Sequence, residues 1–418
     1  MQELNDLRGE LPGHGLTYLA EIPYVYHCHH FNLFHDQCIE DALGEDAAIE
    51  LKVHAAQDAF RDLLSSLCKA TGATTPAARI ELATSVFKFM GQGKLNILCD
   101  ASGGEARGDF LHYSFAWMEK YGAKVKRLDP TDAVAAGYAA AAVEVAYSLS
   151  PGALTAVETG CFAMREPSCS FRLSVREPLG APVPMRRSLQ ALNVGKDVTG
   201  QDGDRIAKIT AGLREFLRGV AGDERGLIQA FNVFVTMHSP TYYNRTAYET
   251  LHRLEESGSP AVAAAEALFG ESGHVCVFNT FGNLLLSPEW EALVGPLSGE
   301  VEDTVSFCCA IARALGFGNW VIGELIPGER LVLQASATYE APFYLARYGQ
   351  SEKPRGYFFA NAARAFMQLA HRVDWKSRPQ LTQDLYIGLF RSGQAWQIEQ
   401  TQCLTKGDPV SEVVVTKA

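Results

Sequence analysis

The chain has 418 residues, with 48 Asp and Glu against 37 Lys and Arg, a net charge of −11 and 47% hydrophobic residues. That balance fits a folded protein of two or three domains and excludes a disordered chain. An acidic surface repels phosphate backbones and anionic lipid, so neither nucleic acid nor a membrane is an expected partner.

Met1 to Glu10 is polar, with no basic segment before an apolar run, so no secretory signal is expected there. Tyr26 to Glu40 (YHCHHFNLFHDQCIE) reads as a strand turning into a helix near Asn32. Helices are expected at 46–70, 76–91, 108–121 and 131–148, with a strand at 95–99. Ala133 to Tyr147 is mostly alanine and contains Glu144, too short and too weakly apolar to span a bilayer. Strands at 155–163 and 169–175 follow. Arg176 to Gly203, rich in Pro, Gly and Arg, reads as a connector. A helix then covers Asp202 to Val220, where Ile206, Ile209, Leu213, Phe216 and Leu217 recur at helical spacing. Further on come a strand at 274–279, a helix at 302–315 and strands at 319–326 and 330–337 around Pro327-Gly328. A helix at 356–373 and strands at 394–403 and 410–416 complete the chain. Hairpins rather than βαβ units carry the strands, which gives an α/β (α+β) fold with antiparallel sheets.

The two halves read as a degenerate repeat. Phe231–Leu251 parallels Ile22–Leu43, and an ungapped match sets His238 against His29, Asn244 against His35 and Glu249 against Glu40. Lys94–Asp100 then parallels His274–Thr280, and Phe115–Gly122 parallels Cys309–Gly316. The hairpin at 319–337 has no expected counterpart in the first half. The division is 1–178, a connector and helix over 179–226, and 227–418. Duplication in one chain can replace a symmetric dimer, so a monomer or simple homodimer is expected.

Ten Cys with no CxxC pair suggest a reducing cytoplasm. Two segments carry chemistry. In the first, His27, Cys28, His29, His30, His35 and Cys38 fall close together. Imidazole and thiolate suit zinc or iron, and the same residues suit a Cys–His nucleophile pair or acid–base work near neutral pH. His29 and His35 are the sharper candidates because the repeat leaves polar His238 and Asn244 in their places; a shared structural hydrogen bond would give the same pattern. In the second segment, Glu158-Thr-Gly-Cys161 is followed by Cys169 after a turn with Pro167. A hairpin there brings both sulfurs to one side, and one carboxylate with two thiolates suits zinc or ferrous iron. Spacing alone also fits two cysteines packed in a strand pair. Gly91-Gln-Gly93-Lys94 lacks P-loop spacing, and there is no GxGxxG, so no nucleotide cofactor is expected. Gly103-Gly104 precedes an expected helix, a weak anion signal.

A helix, a strand ending in Cys161, a polar turn and Cys169 before Phe171 resemble the end of the four-vinyl-reductase family of small-molecule-binding domains. Gly318–Tyr348, Gly356–Val373 and Gln394–Val415, with Cys403 and the turn Lys406-Gly407-Asp408-Pro409, resemble it over about 100 residues. The first half does so over about 65, Tyr113–Val175. The resemblance implies an α/β fold with an enclosed apolar pocket beside the closing hairpin. It also implies a Glu-x2-Cys-x7-Cys metal cluster with one further Cys upstream, as in the family's sensor domains. Glu158, Cys161 and Cys169 match it. No Cys lies between Cys99 and Cys161, so the fourth ligand is missing or replaced, with Cys99 a candidate if its strand comes close. In the second half Gln400 and Ser411 stand at the Glu and second Cys places, and no metal is expected there.

Two functions follow. One is a metal-dependent enzyme, an oxidoreductase or lyase, acting on a small aromatic or acyl molecule. Its catalytic residues would be His29, His35, Cys28, Cys38 and His238. Its substrate residues would be Tyr26, Asn244, Trp320, Tyr339 and Phe343, and its zinc or iron ligands Glu158, Cys161, Cys169, His27 and His30. The other is a non-catalytic sensor, carrier or assembly protein using the same pocket.

Overall fold

A computed structural model describes residues 2–11, 14–176, 198–392 and 395–418. The expected connector therefore lies largely outside the described residues. The observed class is mixed α and β, with antiparallel sheets packed against helices.

Two four-stranded sheets share one topology. In the first half, β4 (Lys94–Asp100), β5 (Gly103–Asp109), β6 (Leu154–Gly160) and β7 (Cys169–Val175) lie in the order β4-β5-β7-β6. In the second, β10 (Gly318–Ile326), β11 (Arg330–Thr338), β12 (Trp396–Gln402) and β13 (Ser411–Lys417) lie in the order β10-β11-β13-β12. The hairpin at 319–337 thus has a counterpart after all. The first half's second strand, GGEARGD, escapes a search for alternating apolar residues, and it replaces the start of the helix expected at 108–121. That helix begins at His112. Gly103-Gly104 lie within β5, not at a helix N-terminus.

Between these sheets runs a five-stranded one. It contains β1 (Arg8–Leu11), β2 (Leu16–Leu19), β3 (Ile22–Cys28), β8 (Ile228–Ala230) and β9 (Val233–His238), in the order β1-β2-β3-β9-β8. β3 and β9 pair antiparallel, Val25 against His238 and Cys28 against Val235, so strands from both halves meet at the centre.

The contacts fix the register of the repeat. Tyr26 N donates to Leu315 O (3.0 Å), and Met237 N donates to Met90 O (2.9 Å). Gly318 N donates to Gly15 O, and Gly93 N donates to Gly226 O. Gly15 and Gly226 both have positive φ, and a Cβ on either would strike the opposing carbonyl at 2.1 or 2.3 Å. Ala20-Glu21 and Phe231-Asn232 share the left-handed conformation. Tyr26 and Met237, Gly15 and Gly226, and Ala20 and Phe231 thus match at the 211-residue separation that also divides His35 from Thr246 and Asn32 from Tyr243, which hydrogen-bond across the centre. His238 therefore corresponds to His27 rather than to His29, and His35 to Thr246 rather than to Asn244. The ungapped match was displaced by two residues.

Each half packs one long apolar helix beneath its sheet. Ala133–Tyr147 lies so close to Glu45–Thr71 that a Cβ on Gly137 would meet Val53 O at 2.3 Å. Its alanines permit that approach. Tyr357–Arg372 packs on Val262–Cys276 across Gly270 and Gly273. Residues 274–279, expected as a strand, are the end of that helix and a π-helical turn, Val277–Phe281. Burial between two helices overrides the β-preference of HVCVFNT. Among the described residues, no helix is long and apolar enough to cross a membrane.

Candidate functional site

The closing hairpin of the first half builds one buried cluster. β6 has a bulge between Glu158 and Gly160, and Cys161 leads into a tight turn over Phe162–Met164. Arg165 closes the turn at φ 74°, and Cys169 opens β7. Phe162 N donates to Cys169 Sγ at 3.3 Å, which fixes that sulfur across the turn. The fourth member is Asp132, the residue before helix Ala133–Tyr147. Its Oδ2 lies 3.2 Å from Cys169 Sγ and 4.0 Å from Cys161 Sγ, and its backbone N donates to Glu158 Oε2 at 2.8 Å. One donor atom from each of Asp132, Glu158, Cys161 and Cys169 falls within 4.8 Å of all the others. Thr131 Oγ1 and Ser114 Oγ stand 3.4 Å from the two sulfurs.

Sequence spacing brings out Glu158, Cys161 and Cys169 but not Asp132. The carboxylate is 26 residues upstream of Glu158 and reaches the cluster only through the packing of its helix. Cys99, the alternative fourth ligand, is not in this group; its thiol donates to Glu105 O on the neighbouring strand.

The electrostatics are those of four acids in one dry space. Burial and Cys161 push the Asp132 carboxyl up to about 7. Burial and Asp132 push Glu158 well above the carboxylate range. Cys161 is drawn down to about 5 because Cys169 donates a hydrogen bond to it, and Cys169 rises in consequence. Like charges so close do not ionise together unless a cation compensates them. Glu158 Oε1 is buried without a hydrogen-bond partner. Two sulfurs and two carboxylates form a donor set suited to zinc or ferrous iron.

The histidine-rich segment is distributed differently. His27 is fully buried, stacked between Phe31 (3.6 Å) and Phe317 (4.7 Å), with Nδ1 3.6 Å from Cys276 Sγ. His29 Nδ1 accepts from Phe234 N, and its ring lies tilted against His30 at 3.9 Å. His35 Nε2 meets Thr246 Oγ1 at 2.8 Å, and His238 Nε2 meets the Tyr113 hydroxyl at 3.4 Å. Burial lowers all five imidazoles and raises the thiols of Cys28 and Cys38. All but the half-buried His30 lie in the packed interior, where burial favours the neutral form. Among the described residues, His27 and His30 enter no three-donor group.

A cavity of about 840 Å³ lies at the central sheet rather than beside a closing hairpin, where the resemblance implied a pocket. The hairpin β1–β2 walls one side, and helices Pro240–Glu256 and Glu340–Tyr348 wall the other. Of the expected substrate residues, Asn244, Tyr339 and Phe343 line it. Tyr26 and Trp320 do not: both are buried, Tyr26 near Arg8 and Trp320 donating Nε1–H to Phe317 O. His35 borders only a 20 Å³ void, about the space of one water molecule.

No family model matches the chain, and no curated protein matches it. Among solved structures, the chain is similar to the phenol-responsive sensory domain of the transcription activator PoxR, determined with phenol. That likeness has 14% identity and a TM-score of 0.35, and covers 49% of this chain and 92% of that one. A likeness of that degree carries no inference about ligand or role.

Proposed function

We propose that this chain is a ligand-binding protein, a sensor or carrier of a small apolar molecule, whose first half is braced by one zinc or ferrous ion. The brace would be held by Asp132, Glu158, Cys161 and Cys169. The observation that carries this reading is the closed donor set. Four protein donors converge in a buried space, whereas a catalytic metal keeps one coordination position open for water or substrate. The resemblance to the four-vinyl-reductase family supports the same reading, with repeats at 1–178 and 227–418 joined over 179–226. The residues expected to be catalytic, His29, His35, Cys28, Cys38 and His238, are committed to core packing, and none of these five lines the large cavity. With both repeats in one chain, we expect a monomer.

Replacing the native ion with cobalt(II) tests this. The visible spectrum of a closed tetrahedral site stays unchanged when azide is added. A spectrum that shifts with azide would show an open position and return the protein to the enzymes.

A further inference from the structure

The repeat relates the large cavity to a second place in the molecule, on the other side, and the two are built from different residues. By the 211-residue register, Pro23, Pro240 and Thr241 at the cavity correspond to Phe234, His29 and His30. Further along, His112 N donates to Gln92 O as Tyr339 N donates to Phe317 O, which sets Pro342 opposite Phe115. On that other side the corresponding rings pack against one another. Phe115 meets Phe234 edge-on at 5.4 Å, His29 meets Phe234 at 5.7 Å, and His29 lies tilted against His30. At the cavity, three prolines and a threonine stand where two phenylalanines and two histidines stand opposite. The volume left, about 840 Å³, falls in the range of small-molecule sites.

We infer that this cavity, between the β1–β2 hairpin and the second half, is the binding site for a ring-bearing, largely apolar molecule without net negative charge. The inference rests on the binding function proposed above and gives it a place and a ligand class. The inner wall is apolar and aromatic, with Leu16, Tyr24, Val25, Tyr339 and Phe343 all buried. Aromatic walls favour a flat ring by edge and face contacts. Asn244 and Thr17 are buried polar groups on that wall; the Asn244 amide donates to Tyr339 O at 2.8 Å, and the Thr17 hydroxyl donates to Tyr24 O. Charges sit toward the mouth, where Asp6 and Glu21 outnumber Lys69 and Glu10 is paired with Arg214. An anionic ligand would meet a surplus of carboxylates as it lost water.

The test titrates the full chain with 2-naphthol, uncharged, and 2-naphthoate, its anionic relative, by calorimetry. The double variant Pro23→Phe/Pro342→Phe, which installs the opposite side's residues, is compared with the unaltered chain. Both positions are half-buried and tolerate larger side chains where the cavity is empty; Thr241→Tyr, a single change on a helix, serves if the double variant fails to fold. The unaltered chain should bind one naphthol, naphthoate should bind at least about tenfold more weakly, and filling should weaken naphthol by about tenfold or more. Naphthol binding that survives filling would overturn this site while leaving the binding function in place. Equal binding of naphthoate would overturn the ligand class. No binding of either probe to the unaltered chain would overturn the site, whereas the binding function itself falls by the azide test.

Discussion

In the first half, Asp132, Glu158, Cys161 and Cys169 crowd one buried space; in the second, Gly356, Gln400, Cys403 and Ser411 hold the same places. The backbones are alike. Both hairpins carry a bulge, Glu158 to Gly160 and Gln400 to Gln402. Both turn through a left-handed residue, Arg165 and Gly407. Phe162 N donates to Cys169 Sγ at 3.3 Å, and Leu404 N donates to Ser411 Oγ at 3.2 Å. What differs is charge. Asp has become Gly, Glu has become Gln and one Cys has become Ser. A turn of this shape therefore needs no cation. Only the copy with four acids has a use for one, because burial makes their joint ionisation costly without a counter-charge.

The comparison breaks most visibly at Cys169→Ser. The second half shows that serine serves the turn, so the variant should fold but lose its cation. Its melting temperature should drop by roughly 5–15 °C, the size expected when a buried charge group loses its partner. Chelation of the unaltered protein should give a similar drop, and calorimetry checks both.

The reverse change sharpens it. Gly356→Asp, Gln400→Glu and Ser411→Cys together rebuild the donor set around Cys403. Gly356 has φ −86°, ordinary for any residue, and a Cβ there would lie 3.2 Å from Gln400 Oε1 and 3.9 Å from Cys403 Sγ. The triple variant should carry about two cations per chain instead of about one, measured by elemental analysis. A ratio unchanged from the unaltered chain would mean that the second hairpin lacks the geometry.

A smaller effect concerns the helices above the hairpins. In the first half Asp132 precedes the long helix; in the second, Glu340 reaches the start of the equivalent helix and accepts from Phe358 N and Phe359 N. Burial outweighs those donors and pushes Glu340 up to about 7. A raised carboxyl favours the folded state while it is protonated. That stability is present below the ordinary carboxyl range and is lost as pH rises through about 7. Relative to the unaltered chain, Glu340→Gln should therefore gain stability between pH 5 and pH 8, by up to roughly 3 kcal/mol. Denaturant titrations at the two pH values measure it, and a constant difference would contradict the assignment. The smallest effect is on cation content in Cys403→Ser and Cys99→Ser, which should match the unaltered chain.

The sequence made some of this legible. Glu158, Cys161 and Cys169 stand close along the chain, and the hairpin that joins them has its own turn residues. Both closing hairpins and most long helices follow from local periodicity. Asp132 was not legible, because only the packing of Ala133–Tyr147 against Glu45–Thr71 carries it to the hairpin. The histidines misled for a related reason. Side by side they resemble ligands, yet a strand-to-helix junction sends His27 into an aromatic stack, His29 against Phe234 and His30, and His35 to Thr246. The repeat was visible but displaced, because His238 matches His27 and His29 equally by residue type, and only paired hydrogen bonds reveal which is its backbone equivalent.

The central claim, that one copy holds a cation and the other does not, is tested most directly by elemental analysis of the protein purified without added metal, beside Cys161→Ser and Cys403→Ser. The account predicts about one zinc or iron per chain in the unaltered protein and in Cys403→Ser, and almost none in Cys161→Ser. No metal in the unaltered chain, or an equal amount in Cys161→Ser, would contradict it.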